Sequence, residues 1–117
     1  MQQEERIRAL SKRLYGGSYR LEVAGAIADT DPGVVNVSDL TQTLGLSADK
    51  YTVIRRELET LAQAGILVRL PRPRGQRIQE YQRLPSEYWG AARSVLAEVV
   101  RATPAEDSMT TPGAPRE

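Results

Sequence analysis

Fourteen arginines and two lysines carry the strongest chemistry in this 117-residue chain, and eight of those sixteen cations fall between Ser47 and Leu84. A guanidinium offers a planar fork of donors that matches phosphate oxygens, carboxylates or the O6/N7 edge of guanine. A GC-rich coding sequence would also favour arginine, so the residue type alone decides little. Position says more. Lys50, Arg55, Arg56, Arg69, Arg72, Arg74, Arg77 and Arg83 stand against only Asp49, Glu57, Glu59 and Glu80 in that stretch, a surplus of four in a chain whose formal charge is +1. The remainder is therefore net acidic, and the small total hides two regions of opposite sign.

Other chemistries are removed by composition. Histidine and cysteine are both absent, which excludes imidazole acid–base work, thiolate nucleophiles, disulfides and the usual zinc, copper and iron–sulfur ligand sets. No glycine-rich phosphate loop and no acidic run with calcium-loop spacing occurs. Neither an enzymatic activity nor a cofactor or metal is expected. The start Met1-Gln2-Gln3-Glu4-Glu5 does not read as a signal peptide, and no apolar run nears the roughly 20 residues that span a bilayer. The expectation is an intracellular protein that is not associated with a membrane.

The elements that must position these cations follow from apolar period and punctuation. Ile7, Leu10 and Leu14 lie at helical spacing between charged residues and predict a helix ending near Tyr15. Gly16-Gly17-Ser18 interrupts it, with Ser18 as the candidate cap of a second helix to Asp29, which the turn Asp31-Pro32-Gly33 ends. Val34 to Val37 has room for a short extended piece. Ser38 is the candidate cap of a third helix to Leu44. Gly45 then suits a left-handed C′ position, and Ser47 caps a long helix over Ala48 to Ala64 with a stripe of Tyr51, Ile54, Leu58 and Leu61. Gly65 stops it in the same way. Beyond Gly65 the period falls to two, so Ile66–Leu70 and Ile78–Leu84 predict a hairpin around the basic tip Pro71 to Arg77. Ser86 caps a last helix with Trp89, Ala92, Leu96, Val99 and Val100 on one side. Residues 103–117 hold three prolines and no period, and are expected to be a disordered tail.

Helix, helix, short helix, glycine turn, long helix, hairpin, helix is the order of a winged helix-turn-helix domain. The predicted fold class is mainly α with a small β-hairpin. Val37-Ser38-Asp39-Leu40-Thr41-Gln42-Thr43-Leu44-Gly45-Leu46-Ser47 resembles the first helix and turn of the ArsR, MarR and PadR groups of bacterial transcription regulators. Leu58-Glu59-Thr60-Leu61-Ala62-Gln63-Ala64-Gly65-Ile66-Leu67 is similar to the end of their recognition helix and the entry to the wing. The resemblance spans Tyr19 to Leu84 and is nearest to ArsR-type repressors, which also frame the motif with dimerising terminal helices. It departs in two ways. Ser47 to Leu58 is about three residues longer than the usual ArsR spacing, and the Cys and His ligands of the metal-sensing members are missing.

This resemblance implies four parts: residues 1–15 as an N-terminal dimerisation helix, 18–84 as the DNA-binding domain, 86–102 as a C-terminal dimerisation helix and 103–117 as the tail. It also implies double-stranded DNA as a partner of a homodimeric repressor; the competing reading is a winged-helix module that docks proteins and binds DNA weakly or not at all. Ser47, Lys50, Thr52, Arg55 and Arg56 are the candidate DNA contacts of the long helix, the alternative being a solvated face with Arg55 paired to Glu59 at i, i+4. Tyr51 suits either the core or a phosphate contact. Arg72, Arg74, Gln76 and Arg77 are the candidate wing contacts, in an imperfect likeness to an AT-hook core, with Arg74 best placed to enter a minor groove. Ile7, Leu10, Leu14, Trp89, Leu96, Val99 and Val100 are the candidate dimer interface. Tyr15, Tyr19, Tyr88 and Trp89 suit ordinary packing better than an effector pocket, and any small-molecule effector is unknown.

Overall fold

A computed structural model describes residues 2–102, which form five helices and one small sheet. The predicted tail, 103–117, lies outside the described residues. Helices α1 (Gln2–Tyr15) and α2 (Arg20–Asp29) are followed by strand β1 (Val34–Val35), α3 (Val37–Thr43), a 3-10 turn (Ala48–Lys50), α4 (Tyr51–Gln63), strands β2 (Leu67–Arg69) and β3 (Tyr81–Arg83), and α5 (Glu87–Ala102). The sheet is antiparallel in the order β1-β3-β2, with Val35 opposite Tyr81 on one side and Arg69 opposite Tyr81 on the other. The short extended piece at Val34 is thus a third strand on the predicted hairpin. The hairpin strands themselves are shorter than predicted, although single bonds from Leu70 N to Glu80 O (2.8 Å) and from Leu84 N to Ile66 O (3.0 Å) extend the pairing at each end.

Helix α2 is the centre of the molecule. Leu21, Val23, Ala24 and Ile27 are fully buried, because α1, α5 and the α3–α4 pair pack around it. Ile54, Leu58 and Leu61 of α4 enter the same core, as the apolar stripe predicts, and Tyr81 and Leu67 close it from the sheet. Gly25 allows the tightest approach: a Cβ there would lie 2.2 Å from Leu96 Cδ1 on α5. Leu96 is therefore a knob seated on α2 of its own chain.

Three predicted caps are corrected. Ser18 does not cap α2. The first-turn amide of Leu21 donates instead to Ser11 Oγ (3.0 Å), a fully buried hydroxyl from α1. Ser38 does not cap α3, which starts earlier: Asn36 has extended backbone (φ −143°, ψ 166°), accepts from Asp39 N at 2.8 Å and donates back to Asp39 Oδ2 at 3.0 Å. The amide side chain satisfies an orphan donor and the Asp39 carboxylate at once, a reciprocal arrangement that a hydroxyl two residues later cannot match. Ser47 does stand at the cap position of the 3-10 turn, but its hydroxyl donates to Asp49 Oδ1 rather than accepting from a backbone amide. The cap at Ser86 is present, accepting from Tyr88 N at 3.0 Å. Gly45 and Gly65 both adopt positive φ (71° and 86°), the left-handed geometry expected just past a helix end.

Candidate nucleic-acid interface

The 3-10 turn at Ala48–Lys50 resolves the spacing problem in the sequence. The extra residues are taken up before α4, which begins at Tyr51 instead of the predicted Ala48 and ends at Gln63. Burial then assigns the faces. Ile54, Glu57, Leu58 and Leu61 point inward, while Thr52, Arg55 and Arg56 are exposed. Tyr51 is neither fully core nor free: it is half-buried, with its hydroxyl 3.3 Å from Ser38 Oγ, tying α3 to α4.

The wing rises from the far end of α4. Gln76 N donates to Pro73 O (2.9 Å) and Gly75 has φ +87°, a tight turn with positive φ at its third residue, so Arg74 stands at the apex. Below it the loop is braced by its own polar groups. Arg72 Nη1 donates to Arg77 O at 3.1 Å, Gln76 Nε2 to Ile78 O at 3.3 Å, and Gln79 Nε2 to Leu70 O and Glu80 O at 2.8 and 2.9 Å. Two prolines and these bonds make the tip a shaped arm.

Between α4 and the wing lies a cleft of about 610 Å³. Arg55 from the helix and Arg72 and Arg77 from the wing line it, so three predicted contacts meet in one place. Thr52 and Arg56 lie on the exposed face of α4 outside the lining, and Arg74 and Gln76 are exposed at the tip. Lys50 is half-buried with its ammonium 6.0 Å from the Tyr19 ring centroid, and Ser47 is exposed.

Two of the eight cations are engaged by groups of their own chain, although Arg69 stays more than half exposed and lines the cleft as well. Arg69 pairs with Glu59 through two guanidinium nitrogens, and Glu59 also accepts the Tyr81 hydroxyl. The hydrogen bonds from Arg69 and Tyr81 hold the Glu59 carboxyl below its ordinary range. Burial, then the bond to Glu59, pushes the Tyr81 phenol up to about 12. Glu59 is thus committed to the wing root, and the alternative Arg55–Glu59 pairing is replaced by these stronger partners. Arg83 turns away from the cleft altogether: its Nη1 donates to Ile27 O, Ala28 O and Thr30 O at 2.7 to 2.9 Å, closing the C-terminal end of α2. Among the described residues the other six, Lys50, Arg55, Arg56, Arg72, Arg74 and Arg77, make no salt bridge.

Glu59, Arg69 and Tyr81 form a hydrogen-bonded cluster in the cleft wall that sequence reasoning missed. Their separation along the chain leaves no local signal; only the pairing of β2 with β3 beside α4 brings them together.

The predicted dimer residues divide in two. Ile7 and Trp89 are core residues of the single chain, each 6% exposed, and Trp89 Nε1 donates to Leu84 O at 2.8 Å. Leu10, Leu96 and Val99 are partly buried against that core. Leu14 (57%) and Val100 (46%) remain open. The aromatic group Tyr15, Tyr19, Tyr88 and Trp89 is packing, including an edge-on Tyr88–Trp89 contact with centroids 5.4 Å apart. No group of His, Cys, Asp or Glu among the described residues is arranged to hold a metal, and no helix among them is long and apolar enough to cross a membrane.

A helix-turn-helix followed by a three-stranded sheet with an extended hairpin loop defines a winged-helix domain. The same fold is found in a solved structure of the Multiple Antibiotic Resistance Repressor, MarR, with a TM-score of 0.54, 16% identity, and coverage of 86% of this chain and 67% of that one. Wild-type MarR from E. coli in its apo form is similar at a TM-score of 0.54 and 15% identity, over 93% of this chain and 82% of that one. The likeness is to MarR, and nothing in it singles out the ArsR type that the sequence resembles. No family model matches the chain, and no curated protein matches it.

Proposed function

We propose that this protein is a sequence-specific, double-stranded DNA-binding transcription regulator, a bacterial cytoplasmic repressor acting as a homodimer. The observation that carries the reading is the concentration of cations free of salt bridges on one face. Arg55 of α4 and Arg72 and Arg77 of the wing line a single cleft, with Lys50 just before α4, Arg56 exposed on that helix and Arg74 exposed at the tip. Such a face displaces condensed counterions from a duplex and gains affinity from their release. In this reading Thr52 and Arg56 meet base edges in the major groove, Ser47 and Lys50 meet phosphates, and the wing places Arg74 in the minor groove. The fold shared with proteins described as MarR repressors supports the same direction.

Dimerisation through α1 and α5 draws support from the exposed Leu14 and Val100 and from a shallow groove of about 420 Å³ bordered by Leu10 and Val99. Two copies would place two α4 helices about one DNA turn apart. The experiment is a fluorescence-anisotropy titration against genomic fragments, including the protein's own promoter, at two salt concentrations. Tight, salt-dependent binding to a few fragments is expected. Uniformly weak binding without sequence preference would return the protein to the class of docking modules.

A further inference from the structure

The six-residue elbow from Tyr15 to Arg20 joins α1 to α2, and it is held with more polar contacts than a connector requires. Ser11 Oγ donates to Gly17 O at 2.5 Å while accepting from Leu21 N. Arg20 Nη1 donates to Tyr15 O at 2.5 Å, and its Nε donates to Glu57 Oε1 at 2.7 Å. Glu57 is on α4 and is only 5% exposed. A carboxylate so deep in a core is retained where it has a partner, and a truncated partner leaves a buried charge uncompensated.

A second attachment lies at the start of the same helix. Tyr19 of the elbow has the Arg8 guanidinium 4.9 Å and the Lys50 ammonium 6.0 Å from its ring centroid. Arg8 is itself fixed by Glu22 at 2.8 Å. Lys50 closes the 3-10 turn just before α4 and Glu57 lies two turns into the helix, roughly 10 Å further along the axis. Two anchors at separated points determine the tilt of a rod. The exposed Thr52, Arg55 and Arg56 stand on the rest of that rod, so a shift of about 1 Å at one anchor turns their axis by roughly 6°. Helix α5 brings Tyr88 near the same cluster: burial, and after it the nearby Tyr15 phenol, push the Tyr88 phenol up, and its hydroxyl has no hydrogen-bond partner among the described residues.

We propose that the α1–α2 elbow is the positioning device of α4, with Arg20, Glu57 and Tyr19 as positioning residues that fix the tilt of the helix and of its DNA-contacting face. The inference deepens the DNA-binding reading and rests on it for its consequence, though the mechanical link is measurable without DNA. Specificity depends on it more than affinity, because base edges demand registration that phosphates do not.

Gly17→Ala is the cleanest perturbation. The new Cβ would lie 2.6 Å from Glu57 Oε2 and 3.4 Å from Arg20 Nη2, so it displaces the flexible end of the carboxylate and removes no charge. Arg20→Lys keeps the charge but loses the fork that bridges Tyr15 and Glu57. Gly90→Ala is the control, since its Cβ meets nothing within 4 Å. Each full-length variant is measured for urea stability, for hydrogen exchange of α2 and α4 amides without DNA, and for affinity to two equal-length duplexes. One duplex is selected from a randomised pool by the wild-type protein; the other has random sequence. For Gly17→Ala and Arg20→Lys the expected result is a tenfold or greater loss on the selected duplex, less than twofold change on the random one, and faster exchange in residues 51–56 with α2 unchanged. Equal losses on both duplexes tracking lowered stability, or unchanged selected-site affinity with unchanged α4 exchange, would overturn the proposal. If the wild-type protein binds no duplex, the DNA reading fails alone, and α4 exchange still decides the elbow.

Discussion

Arg83 and Arg74 are both arginines of the hairpin, and the structure assigns them opposite duties that one pair of substitutions separates. Arg83 Nη1 donates to three carbonyls, Ile27 O, Ala28 O and Thr30 O, at the end of α2. They lie at the negative pole of the helix, where a cation is favoured, and Ile27 O also accepts from Thr30 N and Ala28 O from Arg93 Nη2. A hydrogen bond from a charged donor contributes about 1.5–3 kcal/mol. One nitrogen shared among three acceptors cannot yield three full bonds, so Arg83→Ala should cost about 3 kcal/mol and lower Tm by about 15 °C. Because this guanidinium faces the protein, the salt dependence of DNA binding should be unaffected once the folded fraction is accounted for. Arg74→Ala should do the reverse. At the exposed apex it should change stability by no more than about 0.5 kcal/mol, yet lessen the slope of log K against log salt by about 0.9. If each of the six cations of this face displaces one condensed counterion, the wild-type slope would approach about −5 per protomer. The assays are urea denaturation and anisotropy titration from low to moderate salt. Should Arg83→Ala flatten the slope by a unit while leaving stability alone, the division of the arginines drawn above is wrong.

Three further outcomes are expected. Tyr81 has a folded-state pKa raised from 10.0 to about 12, so its stabilising contribution is complete below pH 10 and is lost as pH rises from 10 towards 12. Two units correspond to roughly 2.7 kcal/mol, and Tyr81→Phe should flatten denaturation midpoints across that window; an equally steep decline in the variant would assign the alkaline transition to other groups. Tyr88→Phe removes a buried hydroxyl without a hydrogen-bond partner among the described residues, so stability should hold or rise by up to about 1 kcal/mol, and a loss above about 1 kcal/mol in thermal melts would show that the hydroxyl is satisfied. Leu14→Arg with Val100→Glu should halve the mass seen by light scattering at tens of micromolar without altering the circular dichroism spectrum, whereas an unchanged mass would move the dimer contact elsewhere.

Local rules read the helices well, since an amphipathic period reports which side meets a core whatever that core contains. Ile54, Leu58 and Leu61 are buried as their spacing requires, and Gly45 and Gly65 stop their helices where a left-handed residue was needed. Caps were less legible. Ser18 and Ser38 each matched the local preference, yet Ser11 from another helix and Asn36 two residues earlier took those duties. A capping partner is chosen by proximity in space, and sequence shows only proximity along the chain. The same limit hid the pairing of β1, which the sequence read only as a short extended piece and whose two residues pair with a strand more than forty residues later.

The basic face was therefore legible in the sequence: a basic segment, a helix with one apolar side, and a proline- and glycine-shaped tip require no distant information. Which charges that face can offer was decided by tertiary structure. Arg69, Arg83 and Arg74 are chemically identical, but the first meets Glu59, the second meets three helix-end carbonyls, and the third meets solvent. Apolar terminal positions follow the same logic, with Ile7, Trp89 and Leu96 used by their own chain and Leu14 and Val100 left open. Type and period survive in a one-dimensional string; the competition among neighbours for each charge or methyl group exists only after the chain has folded.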